Sequence, residues 1–138
     1  MTRTVCMNRR PARTSRAAWV LGAVLGAAAA FGDTPPGDPA RGRQVFAGCR
    51  TCHYPERGYG HHNGPSLFAI FGRTAGTQSG FNYYSPWMRQ AGFQWTPETL
   101  DAWLANPGMF PESSMIFVGV SDAQARADLI AYLRQFHD

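Results

Sequence analysis

The strongest constraint on this chain is a pair of cysteines two residues apart with a histidine directly after them: Cys49-Arg50-Thr51-Cys52-His53. Two thiols about one helical turn apart can each add to one vinyl group of the same porphyrin. The imidazole that follows is then held beneath the ring, where it can ligate the iron. The spacing therefore predicts one haem c attached covalently through Cys49 and Cys52, with His53 as an axial iron ligand.

The same cysteine pair could instead form a redox dithiol, a disulfide or half of a zinc site. A zinc site needs further ligands, and the only other cysteine is Cys6, which lies in a leader-like segment. The sequence contains no second CxxC pair. A redox dithiol is typical of alternating strands and helices, and no run of strands is evident. Haem attachment is therefore the favoured interpretation.

The start of the chain has the pattern of a secretory signal. Residues 1–16 carry five arginines and no acid, and residues 17–31 form an apolar run that ends in small residues. A basic start, a short apolar core and a small-residue end are typical of exported proteins. A bilayer span needs about 20 residues, so a retained anchor is the second choice. We expect residues 1–32 to be cleaved and residues 33–138 to form one periplasmic domain.

Removing that segment changes the charge balance. All thirteen basic residues are arginines, of which five lie in residues 1–32 and eight in residues 33–138. The nine acidic residues all lie in residues 33–138, so eight minus nine leaves about −1 in place of the +4 of the whole chain. Nucleic-acid binding requires a basic surface, and we therefore expect no nucleic-acid partner.

Capping residues and prolines predict an all-α domain with long loops. The expected helices are Asp38-Pro39 to about Cys49, a short helix over Ser85–Gln90, Thr96-Pro97 to Ala105, and a last helix to Phe136. The last one follows Ser121-Asp122-Ala123-Gln124, a capping-box pattern. The apolar run 67–71 is compatible with a strand or a helical turn. Glycine and proline interrupt the remaining segments, which suits loops wrapped around a flat cofactor.

A second axial ligand would decide the chemistry. An open position permits binding of small molecules, whereas a methionine or histidine closes it and leaves electron transfer. The candidates in residues 33–138 are Met88, Met109, Met115, His61, His62 and His137. Met115 follows an irregular, proline-led segment that can present a side chain inward, and Met109 is its main rival. His61 lies only eight residues after His53, so a short loop would have to pass around the edge of the ring for His61 to reach the other face.

With these residues in hand, residues 37–138 resemble the class I cytochromes c, close to bacterial cytochrome c2 and mitochondrial-type cytochrome c. The similar stretches are Gly42–Cys49, Gly64-Pro65-Ser66-Leu67, Phe71-Gly72-Arg73, Gly80-Phe81-Asn82-Tyr83, Leu104-Ala105-Asn106-Pro107, Met115-Ile116-Phe117-Val118-Gly119 and Leu129–Leu133. The resemblance implies the cytochrome c fold, in which N- and C-terminal helices cross and long loops enclose one covalently bound haem.

The resemblance also implies the surroundings of the iron. Met115 stands at the position of the sixth ligand, opposite His53. Pro65 matches the proline whose carbonyl accepts a hydrogen bond from the ligand histidine. Trp103 stands where the family often has a tyrosine bonded to the ligand methionine. An indole N–H can donate but cannot accept a hydrogen bond, so this environment differs from that of the family.

Further residues are implied to contact the haem propionates. Arg73 and Trp95 match an arginine and a tryptophan near these groups. The family tyrosine is Tyr83 when counted from the preceding motif and Tyr84 when counted back from Trp95, so both are named. Ser113 stands where a threonine commonly bonds the inner propionate or a nearby water.

The function implied is a non-enzymatic, monomeric carrier of single electrons between redox proteins, from a reductase or dehydrogenase donor to an oxidase or other acceptor. Membrane contact would then occur only through partners unless the leader is retained. The mitochondrial members use lysines to dock acidic partners, and the absence of lysine here implies weaker steering. The alternatives are a haem enzyme or gas sensor with a displaceable sixth ligand, and a cytochrome subunit of a larger dehydrogenase. Ile116 and Phe117 could form an apolar docking rim or pack in the core.

Overall fold

The computed structural model describes residues 35–113 and 115–138, so the expected signal segment 1–32 lies outside the described residues. The helices in these ranges are α1 (Pro39–Phe46), α2 (Pro86–Gln90), α3 (Pro97–Ala105) and α4 (Ala123–Leu133). Two 3₁₀ turns cover Cys49–Thr51 and Pro107–Met109. Within the same ranges no strand forms, and an isolated antiparallel bridge joins Thr74 to Gln94. The all-α prediction is therefore confirmed.

Three helices begin at the predicted caps. Asp38 caps α1 with its carboxylate, and proline occupies the first turn. The hydroxyl of Ser85 caps α2, since it accepts a hydrogen bond from the backbone N–H of Met88 at 3.2 Å. Thr96 and Thr99 cap α3 reciprocally, because each side chain accepts a hydrogen bond from the backbone N–H of the other residue. Proline fits the first helical position since its missing N–H would have no partner there.

The start of α4 corrects the predicted capping box. Asp122 is the N-cap, and its carboxylate accepts a hydrogen bond from the backbone N–H of Ala125 at 2.8 Å. Ser121 therefore lies outside the helix. The amide of Gln124 donates to Asp128 at 2.9 Å instead of reaching back to the cap. Serine and aspartate are nearly equal as N-caps, so the sequence pattern could not decide between adjacent positions.

Two helices also end earlier than predicted. α1 ends at Phe46 because Ala47 and Gly48 form a turn before the 3₁₀ segment that begins at Cys49. α4 ends at Leu133, before Phe136. The apolar run 67–71 forms neither a strand nor a helix, and turns lie at residues 68–69 and 71. The backbone N–H of Ala69 donates to the carbonyl of Phe136 at 2.8 Å.

The core forms where α1 crosses α4. A Cβ atom at Gly42 would lie 2.0 Å from the carbonyl oxygen of Asp128, so only glycine permits this approach. The rings of Phe46 and Tyr132 meet at 5.4 Å between centroids. The buried residues of this core are Phe46, Leu100, Trp103, Leu104, Leu129, Ile130, Tyr132 and Leu133.

A buried carboxylate joins the same two helices. Asp128, only 3% exposed, accepts hydrogen bonds from the guanidinium of Arg41 at 2.7 and 2.9 Å. It also accepts one from the backbone N–H of Asp38 at 2.7 Å. The hydrogen bonds from Arg41 hold the pKa of Asp128 well below its usual range. The charge is therefore compensated inside the core.

None of the helices in the described ranges has the length and hydropathy needed to cross a bilayer.

Candidate functional site

The 3₁₀ turn after α1 sets the spacing of the two thiols. The backbone N–H groups of Cys52 and His53 both donate to the carbonyl of Cys49, at 3.0 and 2.9 Å. Cys49 and Cys52 are half-buried free thiols, and burial raises the pKa of the Cys49 thiol. The two sulfurs are therefore held one turn apart and remain available for covalent chemistry.

The imidazole of His53 is fixed in one tautomer. It is 8% exposed, and its Nδ1 lies 2.7 Å from the carbonyl oxygen of Pro65. A carbonyl can only accept, so Nδ1 must carry the proton and Nε2 keeps a free lone pair. Burial lowers the pKa of His53, which favours the neutral ring, while the bond to Pro65 acts in the opposite direction. The ring therefore presents a metal-ligating nitrogen.

The loop after His53 closes over this ring. The backbone N–H of Gly64 donates to the carbonyl of Cys52 at 2.9 Å, and a Cβ atom at Gly64 would lie 2.3 Å from the Cε1 atom of His53. His61 braces the loop, because its Nδ1 accepts from the backbone N–H of Ser66 at 3.0 Å. Its Nε2 lies 2.9 Å from the carbonyl oxygen of Ser79. His61 thus links two loops through both ring nitrogens.

The candidate methionine ligands differ in their surroundings. Met115 is half-buried, packs against the hydrophobic core and donates its backbone N–H to the hydroxyl of Ser113 at 3.3 Å. Ser113 itself is exposed. Met88 is half-buried on α2. The side chain of Met109 lies outside the described part of the structure.

Trp103 contributes a buried donor that lacks an acceptor. The side chain is 9% exposed and stacks on Phe117 at 5.4 Å between ring centroids. Its Nε1 is buried and has no hydrogen-bond partner in the described part of the chain. Buried polar atoms in proteins nearly always have a partner, and leaving one unmet costs about 1–3 kcal/mol. This indole N–H is therefore an expected contact for a bound group or its ligand.

Arg73 has partners on its own loop. Its guanidinium donates to the backbone carbonyls of Ser66 at 3.2 Å and Ala69 at 3.1 Å, and also to that of Phe68. Burial lowers the pKa of Arg73. The side chain thus stabilises the turns over residues 66–71, a role that the sequence did not reveal.

The structure separates the two candidate tyrosines. Tyr84 is half-buried, packs on Phe81 at 4.9 Å between ring centroids, and lies close enough to Arg73 for the guanidinium charge to act on the pKa of its hydroxyl. Burial raises the pKa of Tyr84. Tyr83 is 80% exposed. Trp95 joins the same region, since its backbone N–H donates to the carbonyl of Arg73 at 2.9 Å.

An aromatic cluster surrounds Trp95 and Trp103. Phe93 packs on Trp95 at 4.9 Å, and Phe110 lies 6.4 Å from both tryptophans. The rings of Trp95 and Trp103 are 6.0 Å apart. No motif in the sequence marks Phe93 or Phe110, and the only signal is an aromatic content of 13%.

These features fit a covalently held haem. The thiols of Cys49 and Cys52 are free to form thioether bonds, and the next residue is a buried imidazole with one free lone pair. The unmet indole N–H of Trp103 adds a polar group suited to a ligand, next to the apolar rings of Phe110 and Phe117.

Comparison with known proteins agrees with this site. The Cytochrome c family model matches residues 39–137. Cytochrome c of Chlamydomonas reinhardtii is 44% identical over 107 residues, covering 76% of this chain and 95% of the relative. Cytochrome c of Ginkgo biloba is 40% identical over 109 residues, covering 78% and 96%. The structure of cytochrome c2 from Rhodospirillum centenum superposes with a TM-score of 0.68 at 37% identity, covering 74% of this chain and all of that one.

The match includes the cysteine motif, the terminal helices and the segment around Met115. Electron transfer through one haem c is the activity that unites this family. The thioether bonds of that haem are formed by Cys49 and Cys52, and the haem enzyme and gas sensor alternatives are not favoured. The chain belongs to the cytochrome c family and is an electron carrier with one covalently bound haem c.

Proposed function

We propose that His53 and Met115 are the two axial ligands, so that this carrier exchanges electrons without binding a substrate at the metal. The observation that carries the proposal is the 2.7 Å contact between Nδ1 of His53 and the carbonyl oxygen of Pro65. His53 directly follows the attachment cysteines. Its contact with Pro65 directs the lone pair of Nε2 away from the loop. Gly64 packs against the ring and resists its rotation.

Met115 is the proposed ligand on the opposite face. Its half-buried side chain packs against the core that contains Trp103, and Ser113 braces its backbone. When bound, the haem supplies a one-electron couple between Fe(II) and Fe(III). A thioether is a soft ligand and favours the reduced metal, and burial disfavours the additional charge of the oxidised metal. Both effects raise the reduction potential.

The polar residues around the site have separate proposed roles. Trp103 donates its otherwise unmet Nε1–H toward the sulfur of Met115. Tyr84 and Trp95 donate to the propionates, because both are half-buried near Arg73, whereas Tyr83 is exposed and contributes little. Arg73 stabilises the loop and adds positive charge to the same region. Ser113 supports the methionine segment more than it contacts a propionate.

The cellular setting is also part of the proposal. The basic and apolar pattern of residues 1–32 supports export, with residues 33–138 working as a monomer in the periplasm. Its partners are redox proteins that deliver or accept one electron. It catalyses no reaction of its own, since ligands on both faces of the iron leave no position for a substrate.

The proposal is tested on the exported, purified protein. The mass should equal that of residues 33–138, or of a chain cut within a few residues of 33, plus one haem. The oxidised protein should show the weak far-red absorption band that reports iron–sulfur bonding. The reduced protein should take up no carbon monoxide at neutral pH. Rapid and complete uptake of carbon monoxide, or absence of the far-red band, would contradict ligation by Met115.

A further inference from the structure

A groove of about 540 Å³ is formed by α1, by α4 and by the turn that follows α4. This volume is within the range of sites that hold small molecules. The residues that line the groove are Pro39, Ala40, Arg43, Gln44, Tyr132 and Gln135. The attachment cysteines, His53 and Met115 are not among them, so the groove is separate from the haem site. We call it the helix groove.

The polar side chains of the helix groove can all donate hydrogen bonds. They comprise the guanidinium of Arg43, the amides of Gln44 and Gln135, and the hydroxyl of Tyr132. No carboxylate is among the lining residues. Pro39 and Ala40 add apolar surface beside these donors. This composition favours a ligand with a negative charge at one end and an apolar body.

The guanidinium of Arg43 is available to such a ligand. Four other arginines in the described ranges pair with carboxylates, namely Arg41, Arg50, Arg57 and Arg126. Arg43 belongs to none of these pairs, and its side chain is exposed. The planar guanidinium can hold both oxygens of a carboxylate at once, a geometry that also gives specificity.

Tyr132 brings a second donor to the same place. The residue is only 7% exposed, yet within the described ranges its hydroxyl takes part in no hydrogen bond. Burial raises the pKa of Tyr132, and the charge of Arg43 is one of those that act in the lowering direction. Glu56 acts in the raising direction, but it is paired with Arg50 at 2.5 Å. Arg43 and the hydroxyl therefore lie close enough for one small ligand to contact both.

We propose that the helix groove binds a small organic acid, whose carboxylate pairs with Arg43 and whose apolar body lies on Pro39 and Ala40. Tyr132 and Gln135 donate to the acid from the side of α4, so the ligand contacts both terminal helices. Such a ligand recognises only the folded protein, because the groove exists only when α1 and α4 are packed together. The site does not depend on which residue is the sixth ligand of the iron.

The probe is 4-hydroxybenzoate, which carries one carboxylate, an apolar ring and a hydroxyl. It is titrated at low salt into the reduced, haem-loaded protein, and binding is followed by the NMR shifts of the backbone amides. The shifts should saturate with a Kd of about 1 mM, ordinary for a ligand of about ten heavy atoms. They should be largest at residues 39–44 and 132–135. The neutral analogue 4-hydroxybenzamide should bind at least about tenfold more weakly, because it offers no charge to the guanidinium.

Three variants assign the contacts. Arg43→Gln should raise the Kd about tenfold, because the charge that pairs with the carboxylate is lost. Tyr132→Phe should raise it about threefold, since the ring that packs on Phe46 stays and only the hydroxyl is removed. Arg89→Gln is the matched control and should stay within about twofold of wild type. Arg89 is also exposed and has no carboxylate partner in the described ranges, but it lies on α2.

Thermal unfolding of the same proteins gives an independent readout. The acid at about ten times its Kd should raise the Tm of the wild type by about 5 °C, and most of this rise should be lost in Arg43→Gln. Shifts that do not saturate, equal affinity for acid and amide, or an unchanged Kd in Arg43→Gln would each overturn the proposal. An equal loss of affinity in Arg89→Gln would show only a general effect of charge and would overturn it as well.

Discussion

A Cβ atom at Gly42 would lie 2.0 Å from the carbonyl oxygen of Asp128 and 2.8 Å from the Cβ of Tyr132. The two terminal helices therefore meet backbone against backbone. Such close packing leaves no room for the smallest side chain, and the neighbouring atoms belong mainly to a helix backbone that cannot move aside cheaply.

Substitution Gly42→Ala should therefore destabilise the fold. Forcing one methyl group into this contact should lower the free energy of unfolding by about 1–3 kcal/mol. Gly48→Ala is the control, because a Cβ atom there meets nothing within 4 Å. Denaturant titration of both holoproteins measures the difference. Equal stability of the two variants would show that the helices can separate without cost.

Asp128 should make stability dependent on pH in the acid range. Its folded pKa is lowered by hydrogen bonds from Arg41, so the charged form stabilises the fold above the ordinary carboxyl pKa of about 4. That contribution is lost as the pH falls through the lower, folded pKa. Asp128→Asn should reduce the denaturant midpoint at pH 7, and the difference from wild type should shrink as the pH falls below about 4.

The exposed pair between Arg57 and Asp138 provides the comparison for that experiment. Surface ion pairs contribute about 0–1 kcal/mol, so Asp138→Asn should leave the midpoint nearly unchanged. A difference between wild type and Asp128→Asn that stays constant down to low pH would contradict the proposed role of the buried carboxylate.

Substitution Met115→Ala should remove the sulfur ligand. The far-red band should disappear, the reduction potential should fall, and the reduced protein should gain the ability to bind carbon monoxide. Met88→Leu is the matched control, since Met88 is also a half-buried methionine, on α2. If the band survives in Met115→Ala, Met109 becomes the ligand.

The adjacent tyrosines offer a paired test of propionate contact. Tyr84→Phe should shift the reduction potential, because the half-buried hydroxyl near Arg73 is lost. Tyr83→Phe should leave the potential unchanged, because Tyr83 is 80% exposed. The reduction potentials of both variants are measured by voltammetry at neutral pH. The reverse pattern would assign the contact to Tyr83.

Removal of the buried donor of Trp103 should lower the reduction potential. A hydrogen bond to the methionine sulfur withdraws electron density and so favours the reduced metal. Trp103→Phe keeps an aromatic ring against Phe117 but has no N–H. The far-red band should persist at a shifted position. Trp87→Phe, in the same aromatic cluster, is the control and should leave both readings unchanged.

Much of the fold could be predicted from local signals. The caps Asp38 and Thr96 lie directly before prolines, and two independent preferences therefore agree at each helix start. The attachment motif was equally clear, since its chemistry depends on spacing alone. The N-cap of α4 lies one residue later than the capping-box pattern predicts, because serine and aspartate are similar N-caps.

The details of the site depend on contacts between distant segments. Counting along the sequence left Tyr83 and Tyr84 equivalent. Both rings pack on Phe81, and only burial and proximity to Arg73 distinguish Tyr84. The carbonyls that Arg73 contacts come from turns that no periodicity reveals. Likewise, Phe117 packs on Trp103 while Ile116 is exposed, a difference that the sequence pattern could not show.

The contact between Gly42 and Asp128 also imposes an order on maturation. The chain is made from its N-terminus, so Cys49 and Cys52 are present well before the residues of α4. α1 and α4 cannot pack on each other until both have been made, since each supplies one side of the contact. The thiols of Cys49 and Cys52 therefore belong to an incomplete core until the last helix is added.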